Sequence, residues 1–292
     1  MTHIPVLLHE SVDALDVESS EVFLDGTLGS GGHSALVAEQ LKDSVTIIGL
    51  DRDREAVERS SGRLRNLRAH THLFIESFKN LDKVIESLDI KGVDAILFDL
   101  GLSTEELEDS GRGFSFLKDE PLDMRMSGEG ITAANILNSW DEHAIELVLR
   151  GFGEEKFSKK IARKIIERRE IRPFKTTSDL VGTILEVKSR TWRDRIHPAT
   201  KTFQALRIAV NEELATLEIG LEKGFEVLNP GGRFAIISFH SLEDRIVKNF
   251  FRNKVKEGIA EQITKKPIVP SVEEISNNPR SRSAKLRVIK KK

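Results

Sequence analysis

The sequence has no cysteine, no tyrosine and no long apolar run. Without cysteine there are no disulfides and no thiolate metal sites. The longest apolar stretches, such as residues 96–98, are far too short to cross a bilayer, and residues 1–5 lack the features of a signal peptide. His9, His70, His72 and His143 are scattered and lack the spacing of metal ligands. These absences predict a cytoplasmic protein with no membrane contact and no metal site.

Charge is distributed unevenly along a chain whose overall net charge is only −2. Residues 1–149 carry 13 basic and 29 acidic groups, a net of −16. Residues 150–207 carry 16 and 7, a net of +9, and residues 245–292 carry 14 and 4, a net of +10. Two basic segments on an otherwise acidic protein indicate a localised surface for a polyanion. Charge runs are usually solvated helix faces, so charge alone leaves a nucleic acid partner open.

A strand with an acidic end leads into a glycine-rich turn near the start of the chain. Residues 21–25 have the pattern of a buried strand, which ends on Asp25, and a turn through Gly31 and Gly32 follows. A helical pattern then leads to a second strand ending on Asp51. Glycines let the backbone approach a ligand, and a carboxylate at the second strand end accepts hydrogen bonds from ribose hydroxyls. This order is typical of the first half of a nucleotide-binding site.

Three classes of cofactor compete for this turn. A P-loop ends in Gly-Lys-Ser/Thr, whereas this turn ends in Gly-Gly-His-Ser, which disfavours a nucleoside triphosphate. A dinucleotide fingerprint begins at Gly29 and Gly31 but has Ser34 in place of its third glycine. The looser turn of S-adenosylmethionine-dependent methyltransferases remains, with Asp25 facing the cofactor's ammonium group or a water beside it. A structural turn in another α/β protein also fits the turn when it is taken alone.

Strands and helices alternate over most of the chain, which predicts an α/β protein with a doubly wound parallel sheet. Further strands are predicted at residues 71–76, 93–98 and 233–238, and helices at 53–67, 79–88 and 203–228. Residues 284–289 have the alternation of a final edge strand.

The strand pattern stops between about residues 111 and 199, where amphipathic helices are joined by glycine and proline breaks. Strands resume after this block, so we interpret it as an insertion in the α/β domain. The sequence therefore predicts one domain over 1–110 and 200–292, and an inserted helical substrate-recognition domain over 111–199.

Several motifs in order resemble a single family. They include HPATKTFQA at 197–205 and SFHSLEDR at 238–245, and the others lie at 3–10, 31–34, 99–103, 112–116, 121–126, 230–233 and 278–283. Together they resemble the bacterial MraW family. The resemblance implies a Rossmann-like class I methyltransferase sheet interrupted by a helical domain. It also implies transfer of a methyl group from S-adenosylmethionine to N4 of a cytidine in the decoding region of small-subunit (16S) ribosomal RNA.

The resemblance further implies which residues contact S-adenosylmethionine. These residues are Gly31, Gly32, His33, Asp51, Phe78, Asp99 and Glu106. The glycines are expected beneath the methionine portion, Asp51 on the ribose and Phe78 against adenine. Glu106 departs from the family, which usually has glutamine there. A carboxylate only accepts hydrogen bonds, so that contact is altered or made through water.

Asp99, at the predicted end of its strand, is our candidate catalytic residue. The exocyclic amine of cytosine is a poor nucleophile, and an acceptor for its N–H would favour the reaction. Many amino-group methyltransferases carry Asp/Asn-Pro-Pro-Tyr here, whereas this chain has Asp-Leu-Gly-Leu. The aromatic ring that stacks on the base is therefore expected elsewhere, with Phe114, Phe116 and Phe239 as candidates.

The predicted substrate-binding residues are polar side chains in the later motifs and basic segments. They are His197, Lys201, His240, Arg245, Arg280 and Arg282. Lys201 stands where arginine is frequent in the family. His240 has an equally good structural interpretation, and His197 could cap the helix that follows it.

Alternative functions remain open from the residues alone. A dehydrogenase on the same type of sheet would bind a nicotinamide cofactor. A non-catalytic ribosome-assembly factor would bind the small ribosomal subunit without a cofactor. Within the methyltransferases, another RNA or a DNA amino group is the alternative substrate, because a basic surface does not identify its polyanion.

Overall fold

The structure is a computed structural model that describes residues 4–18, 21–41, 44–102, 107, 110–189 and 196–292. It divides the chain into two compact units. The first unit comprises Met1–Gly101 and Leu214–Lys292, and the second comprises Leu102–Glu213. Among the described residues, no helix combines the length and the apolar character needed to cross a membrane.

The first unit is built on a seven-stranded sheet. Its strands are β1 (Val22–Asp25), β2 (Thr46–Asp51), β3 (His70–Ile75), β4 (Val93–Asp99), β5 (Leu228–Ser238), β6 (Ala260–Gln262) and β7 (Lys285–Lys291). Their order across the sheet is β3-β2-β1-β4-β5-β7-β6. The pairs from β3 to β5 are parallel, whereas β7 is antiparallel to both β5 and β6. The predicted α/β class is confirmed, and the sheet is mixed at one end rather than wholly parallel.

The final strand corrects one sequence prediction. β7 lies between β5 and β6 and is therefore an interior strand, not the predicted edge strand. Leu286, Val288 and Ile289 of this strand are fully buried. The edge strand on this side of the sheet is β6, which has only three residues. A hydrophobic pattern of three residues is too short to predict a strand.

Helices of the first unit cover both faces of the sheet. They are α1 (Leu8–Leu15), α2 (Gly32–Leu41), α3 (Arg54–Leu64), α4 (Leu81–Ser87), α10 (Glu213–Val227), α11 (Ser241–Lys256) and α12 (Val272–Asn277). Successive strand residues point to opposite faces, so Phe23 and Leu24 of β1 enter different apolar clusters. Burial on both faces explains why these strands read as continuous apolar runs rather than as alternating patterns.

The second unit is helical around its own core. Its described helices are α5 (Ala133–Ser139), α6 (Glu142–Gly153), α7 (Ser158–Ile171), α8 (Thr177–Val187) and α9 (Thr200–Asn211). Ile136, Leu149, Ile161, Leu180 and Leu206 contribute to one buried cluster. The unit extends beyond the predicted insertion at 111–199 because α9 packs closely on the end of α6. A Cβ atom at Gly153 would lie only 2.5 Å from the carbonyl oxygen of Lys201.

The prediction of one helix over 203–228 is wrong. α9 ends at Asn211, and Glu212 has a φ of 51° before α10 begins. The buried Asn211 amide donates to the carbonyl oxygen of Met124 at 2.7 Å and accepts from the backbone N–H of Met126 at 2.9 Å. These bonds tie the helix end to a loop, and the apolar periodicity continues through the break without revealing it.

Candidate active site

Three aspartates end neighbouring parallel strands at one edge of the sheet. Asp25, Asp51 and Asp99 are the last residues of β1, β2 and β4. β1 lies between the other two strands, and its last residue pairs with Gly49 on one side and Leu97 on the other. The carboxyl edge of parallel strands is where ligands bind in sheets of this type. The structure therefore places the three predicted acidic strand ends on the same side of the sheet.

The turn after β1 is joined to the ends of both neighbouring strands. The N–H of Gly26 donates to Leu97 O at 2.9 Å, and that of Leu28 donates to Leu50 O at 2.9 Å. Thr27 Oγ1 accepts from the backbone N–H of Asp99 at 2.5 Å. The turn is therefore held against β2 and β4 before any ligand binds.

The glycines of this turn have different structural requirements. Gly31 has a φ of 71°, and a Cβ atom there would lie 3.0 Å from Ser60 Oγ. A Cβ atom at Gly32 would lie 2.2 Å from Pro5 Cγ, so the N-terminal segment occupies the space next to this residue. Close packing thus explains both glycines, and their contact with the methionine portion of the cofactor stays a prediction.

Asp51 anchors the turn in addition to its predicted role on the ribose. Its Oδ2 accepts from the N–H of Gly29 at 2.8 Å, and its Oδ1 accepts from that of Asp53 at 2.9 Å. Burial raises the pKa of Asp51, and the two backbone hydrogen bonds oppose that shift. Each carboxylate oxygen has a second lone pair, so the bonds to the turn leave acceptor capacity for ribose hydroxyls.

Asp25 is fully enclosed in the first unit. Its carboxylate accepts from Ser34 Oγ at 2.7 Å and from the N–H of Thr27 at 3.3 Å. Burial raises the pKa of Asp25 to about 6, although both hydrogen bonds lower it. A carboxyl group with this pKa changes charge close to neutral pH, so its ionisation responds to a nearby cation.

Asp99 combines burial with an unused acceptor. Among the described residues, its Oδ1 has no hydrogen-bond partner, although this atom is buried. Burial raises the pKa of Asp99 well above its ordinary value, and the carboxylates of Asp25 and Glu243 raise it further. An unpartnered buried oxygen costs free energy, which is recovered when a ligand donates a hydrogen bond to it. Asp99 can therefore accept a hydrogen bond or a proton from a bound group.

His33 lies in the first turn of α2, beside Asp99. Its ring is buried, its Nε2 lies 3.2 Å from Val6 O, and its Nδ1 lies 4.0 Å from Asp99 Oδ2. Because a carbonyl oxygen only accepts, we assign the proton to Nε2. The N-terminal segment thereby orients the ring and turns its other nitrogen toward Asp99.

Phe78 begins a short 3₁₀ helix (Phe78–Asn80), which is separated from the end of β3 by two residues. Its ring centroid lies 4.5 Å from that of Phe98, and a Cβ atom at Gly220 would meet the ring at 2.4 Å. The ring is half-buried, with Phe98 and α10 packed against it. Its predicted contact with adenine stays a prediction.

A tight turn joins β5 to α11 beside the end of β4. His240 is the N-cap residue of α11, and its Nδ1 accepts from the N–H of Glu243 at 3.4 Å. Its Nε2 lies 3.1 Å from Glu243 Oε1 without the geometry of a hydrogen bond. His240 thus has a clear structural role, which accounts for its position without a substrate. The substrate role stays a prediction.

The remaining candidates in the first unit lie on exposed segments. Arg245 is exposed on α11, and Arg280 and Arg282 are exposed in a 3₁₀ helix (Pro279–Ser283) before β7. Glu106 lies outside the described residues.

The candidates of the second unit are partly explained by local structure. The ring of His197 stacks on that of Phe116, with centroids 4.7 Å apart, and its Nδ1 accepts from the N–H of Ala199 at 3.2 Å. Lys201 donates to Glu154 O at 2.8 Å. Phe114 is buried, with the guanidinium of Arg112 over its ring. RNA contacts at these residues stay predictions.

Sequence reasoning missed two side chains that shape the site, Thr27 and Glu243. Thr27 is not a defining residue of any motif that we recognised. Only its position, two residues after the end of β1, could have indicated a role in the site. Glu243 lies three residues after the N-cap of α11, which is the glutamate position of a capping box. That spacing is visible in the sequence and was a usable signal.

Comparisons with known proteins identify the family of this chain. The family model described as the MraW methylase family matches residues 1–292. A protein from Kosmotoga olearia named Ribosomal RNA small subunit methyltransferase H is 47% identical over 292 residues, covering 98% of this chain and 96% of that protein. A protein of the same name from Clostridium botulinum (strain Kyoto / Type A2) is 44% identical over 305 residues, covering 99% and 98%.

Among solved structures, an rRNA methylase from Streptococcus thermophilus matches with a TM-score of 0.48 and 15% identity, covering 99% of both chains. The family model extends over the whole sequence, and each of the two curated relatives extends over nearly all of it. The chain belongs to the MraW methylase family.

Proposed function

We propose that the carboxyl edge of β1, β2 and β4 binds S-adenosylmethionine and that Asp99 accepts the proton displaced from the reacting amine. As a member of its family, the chain is an S-adenosylmethionine-dependent methyltransferase that modifies N4 of a cytidine in 16S ribosomal RNA. The dehydrogenase and the non-catalytic assembly factor are thereby set aside.

The unpartnered Oδ1 of Asp99 is the observation that carries the proposal. Asp25, Asp51 and Asp99 give the edge of the sheet an acidic character that suits a cofactor with an ammonium and a sulfonium group. The turn through Gly31 supplies a close backbone approach, and Asp51 retains acceptor capacity for ribose hydroxyls. The residues present therefore fit S-adenosylmethionine.

The chemistry required of the protein is mainly positioning. The cofactor supplies a methyl group on a positively charged sulfur, and an in-line displacement onto nitrogen needs no metal. The lone pair on N4 of cytosine is delocalised into the ring, so the amine is a poor nucleophile. In this proposal Asp99 Oδ1, which has no partner among the described residues, accepts the N4–H hydrogen bond and so favours localisation of the lone pair on nitrogen.

In the proposed reaction Asp99 also receives the proton that the amine loses. As the N–C bond forms and the S–C bond breaks, the amine loses a proton, which Asp99 receives before releasing it to solvent. The raised pKa of Asp99 makes it a stronger acceptor than an ordinary aspartate.

The partner that presents the cytidine is part of the same proposal. Ribosomal RNA is the substrate, and we propose that the small ribosomal subunit, in the cytoplasm, is the form encountered. The predicted RNA contacts are His197, Lys201, His240, Arg245, Arg280 and Arg282, which belong to the motifs and basic segments described above.

The test compares Asp99→Ala with Asp99→Asn in cells that lack the chromosomal gene. Nucleosides from their small-subunit RNA are measured by mass spectrometry for N4-methylated cytidine. Asp99→Ala should abolish the product, whereas Asp99→Asn, which still accepts through its carbonyl oxygen, should retain more of it. Near-wild-type product with both variants would show that Asp99 does not assist the amine.

A further inference from the structure

Glu243 is a buried carboxylate that the proposed reaction does not yet use. Its residue is only 3% exposed. Burial of an acidic side chain is costly in free energy unless hydrogen bonds satisfy its oxygens. Glu243 accepts such bonds from the turn between β5 and α11.

The contacts of Glu243 fix the path of that turn. Its Oε2 accepts from the N–H of Phe239 at 2.8 Å and from that of His240 at 3.2 Å. The same side chain therefore holds two consecutive backbone amides just after the end of β5. The bond from the N–H of His240 is the capping-box bond of α11, so the additional bond from the N–H of Phe239 constrains the turn before the helix.

The turn held by Glu243 abuts the chain that leaves β4. The N–H of Leu100 donates to Ile237 O at 2.9 Å, which continues the pairing of β4 with β5 beyond Asp99. Gly101 has a φ of 132°, and a Cβ atom there would lie 3.2 Å from the ring of Phe239. The Phe239 ring thus packs directly on the backbone two residues after Asp99.

We propose that Glu243 is a positioning residue for Asp99. Its hydrogen bonds fix the Phe239–His240 turn against the end of β4, and its buried negative charge acts on the Asp99 carboxylate. This inference rests on the proposed role of Asp99 and adds the residue that sets its basicity.

The charges around Asp99 come from three other elements. Asp25 at the end of β1 and Glu243 in α11 both raise the pKa of Asp99, and His33 in α2 lies on its other side. Removing the negative charge of Glu243 relieves a repulsion, so the pKa of Asp99 should fall. A lower pKa makes Asp99 a weaker proton acceptor.

The experiment uses Glu243→Gln, because glutamine keeps a carbonyl oxygen for the two backbone amides and removes the charge, while its NH₂ group takes the place of the oxygen beside His240 Nε2. The titration of the Asp99 carboxyl is followed by ¹³C NMR in the cofactor-free protein. We expect its midpoint to fall relative to the wild type, because a neighbouring negative charge has been removed. The acid limb of the kcat profile should move to lower pH by the same amount.

Asp244→Asn is the matched control. Asp244 is the next residue of the same helix, but its carboxylate is bound by Lys285 at 2.9 Å and by Arg287 at 2.7 Å. The variant removes the same formal charge from the adjacent position and should leave the Asp99 midpoint unchanged. An unchanged midpoint in Glu243→Gln, or an equal fall in both variants, overturns the proposal.

A reciprocal variant covers the case in which Glu243→Gln does not fold. Coupling between two sites is mutual, so Asp99→Asn should lower the midpoint of the Glu243 carboxyl by the same amount. No change there also overturns the proposal. If the Asp99 midpoint falls in Glu243→Gln while the kcat profile stays fixed, Glu243 acts on Asp99 as proposed, and the proton-accepting role of Asp99 is what fails.

Discussion

Asp51 illustrates how one side chain serves both the structure of the site and its ligand. Its two oxygens already bind backbone N–H groups of Gly29 and Asp53. The loss of Asp51 would therefore release the glycine turn as well as remove an acceptor for the ribose. Effects on affinity and on the turn must be separated by the choice of variant.

We predict that Asp51→Ala weakens binding of S-adenosylmethionine by about 1.5–3 kcal/mol, roughly ten- to a hundredfold. Asp51→Asn, which keeps one carbonyl acceptor, should lose less. Calorimetric titration of the cofactor measures both values. Wild-type affinity in Asp51→Ala would contradict the ribose assignment.

The raised pKa of Asp25 makes the free energy of unfolding decrease as the pH rises. Burial raises its pKa from 3.8 to about 6, so the folded protein holds this proton more tightly than the unfolded chain does. The resulting stabilisation is complete below the unfolded pKa and is lost as the pH rises through about 6. Ordinary paired carboxylates have the opposite effect.

We predict that Asp25→Asn flattens the decline in stability between pH 4 and pH 7.5. A shift of this size corresponds to about 3 kcal/mol in total, most of which the wild type should lose over that range and the variant should not. Urea unfolding of the cofactor-free protein at several pH values measures the difference. Asp13→Asn, at an exposed position of α1, is the control. Parallel pH profiles for Asp25→Asn and the wild type would argue against the assignment.

At the scale of the element, α7 shows that a count of basic residues overestimates how many of them are available to bind a polyanion. Several of its cations are already paired: Arg163 with Glu142, Lys164 with Glu186 and Arg168 with Asp179. In contrast, Lys156, Lys159 and Lys160, around the start of the helix, are exposed and form no ion pair with any described residue. These three are the better candidates for phosphate contacts.

We predict that the triple variant Lys156→Ala, Lys159→Ala, Lys160→Ala weakens RNA binding and flattens its salt dependence. Each lost phosphate contact lowers the slope of log affinity against log salt by about 0.7–0.9. The control is Arg163→Ala with Lys164→Ala, which removes cations that already have carboxylate partners. The slope is measured by fluorescence anisotropy with small-subunit RNA. Equal slopes for the triple variant and the wild type would exclude this face.

The elements also show where sequence reasoning reaches its limit. Buried apolar strands with acidic ends were visible because a strand buried on both faces has a continuous apolar run. The break at Glu212 was not visible, because the bonds that create it come from Asn211 to residues far away in sequence. The interior position of β7 was hidden for a similar reason, since strand order is decided by tertiary pairing.

The candidate site, like the fold, was only partly predictable from the sequence. Strand ends and glycines placed Asp25, Asp51 and Asp99 correctly on one edge of the sheet. The unpartnered oxygen of Asp99 and the double duty of Asp51 depend on hydrogen-bond geometry that a linear pattern does not contain.

At the scale of the whole molecule, ligand binding should report on the cofactor class directly. A ligand that binds only the folded state at a hundred times its Kd stabilises that state by about 2.7 kcal/mol. We predict that S-adenosylhomocysteine at this excess raises Tm by about 4 °C, and that NAD at the same concentration leaves Tm unchanged. Differential scanning fluorimetry makes the comparison. A shift with NAD alone would revive the dehydrogenase alternative.

The separation of β4 from β5 has a consequence for the protein as it is synthesised. These strands are neighbours in the sheet, yet residues 100–227 lie between them in the chain. At a translation rate of roughly 5–20 residues per second, about 6–25 s pass between the synthesis of β4 and the synthesis of its partner strand β5. An unpaired strand edge invites association with other chains during that interval. The insertion between β4 and β5 therefore gives each nascent copy a period of vulnerability to aggregation.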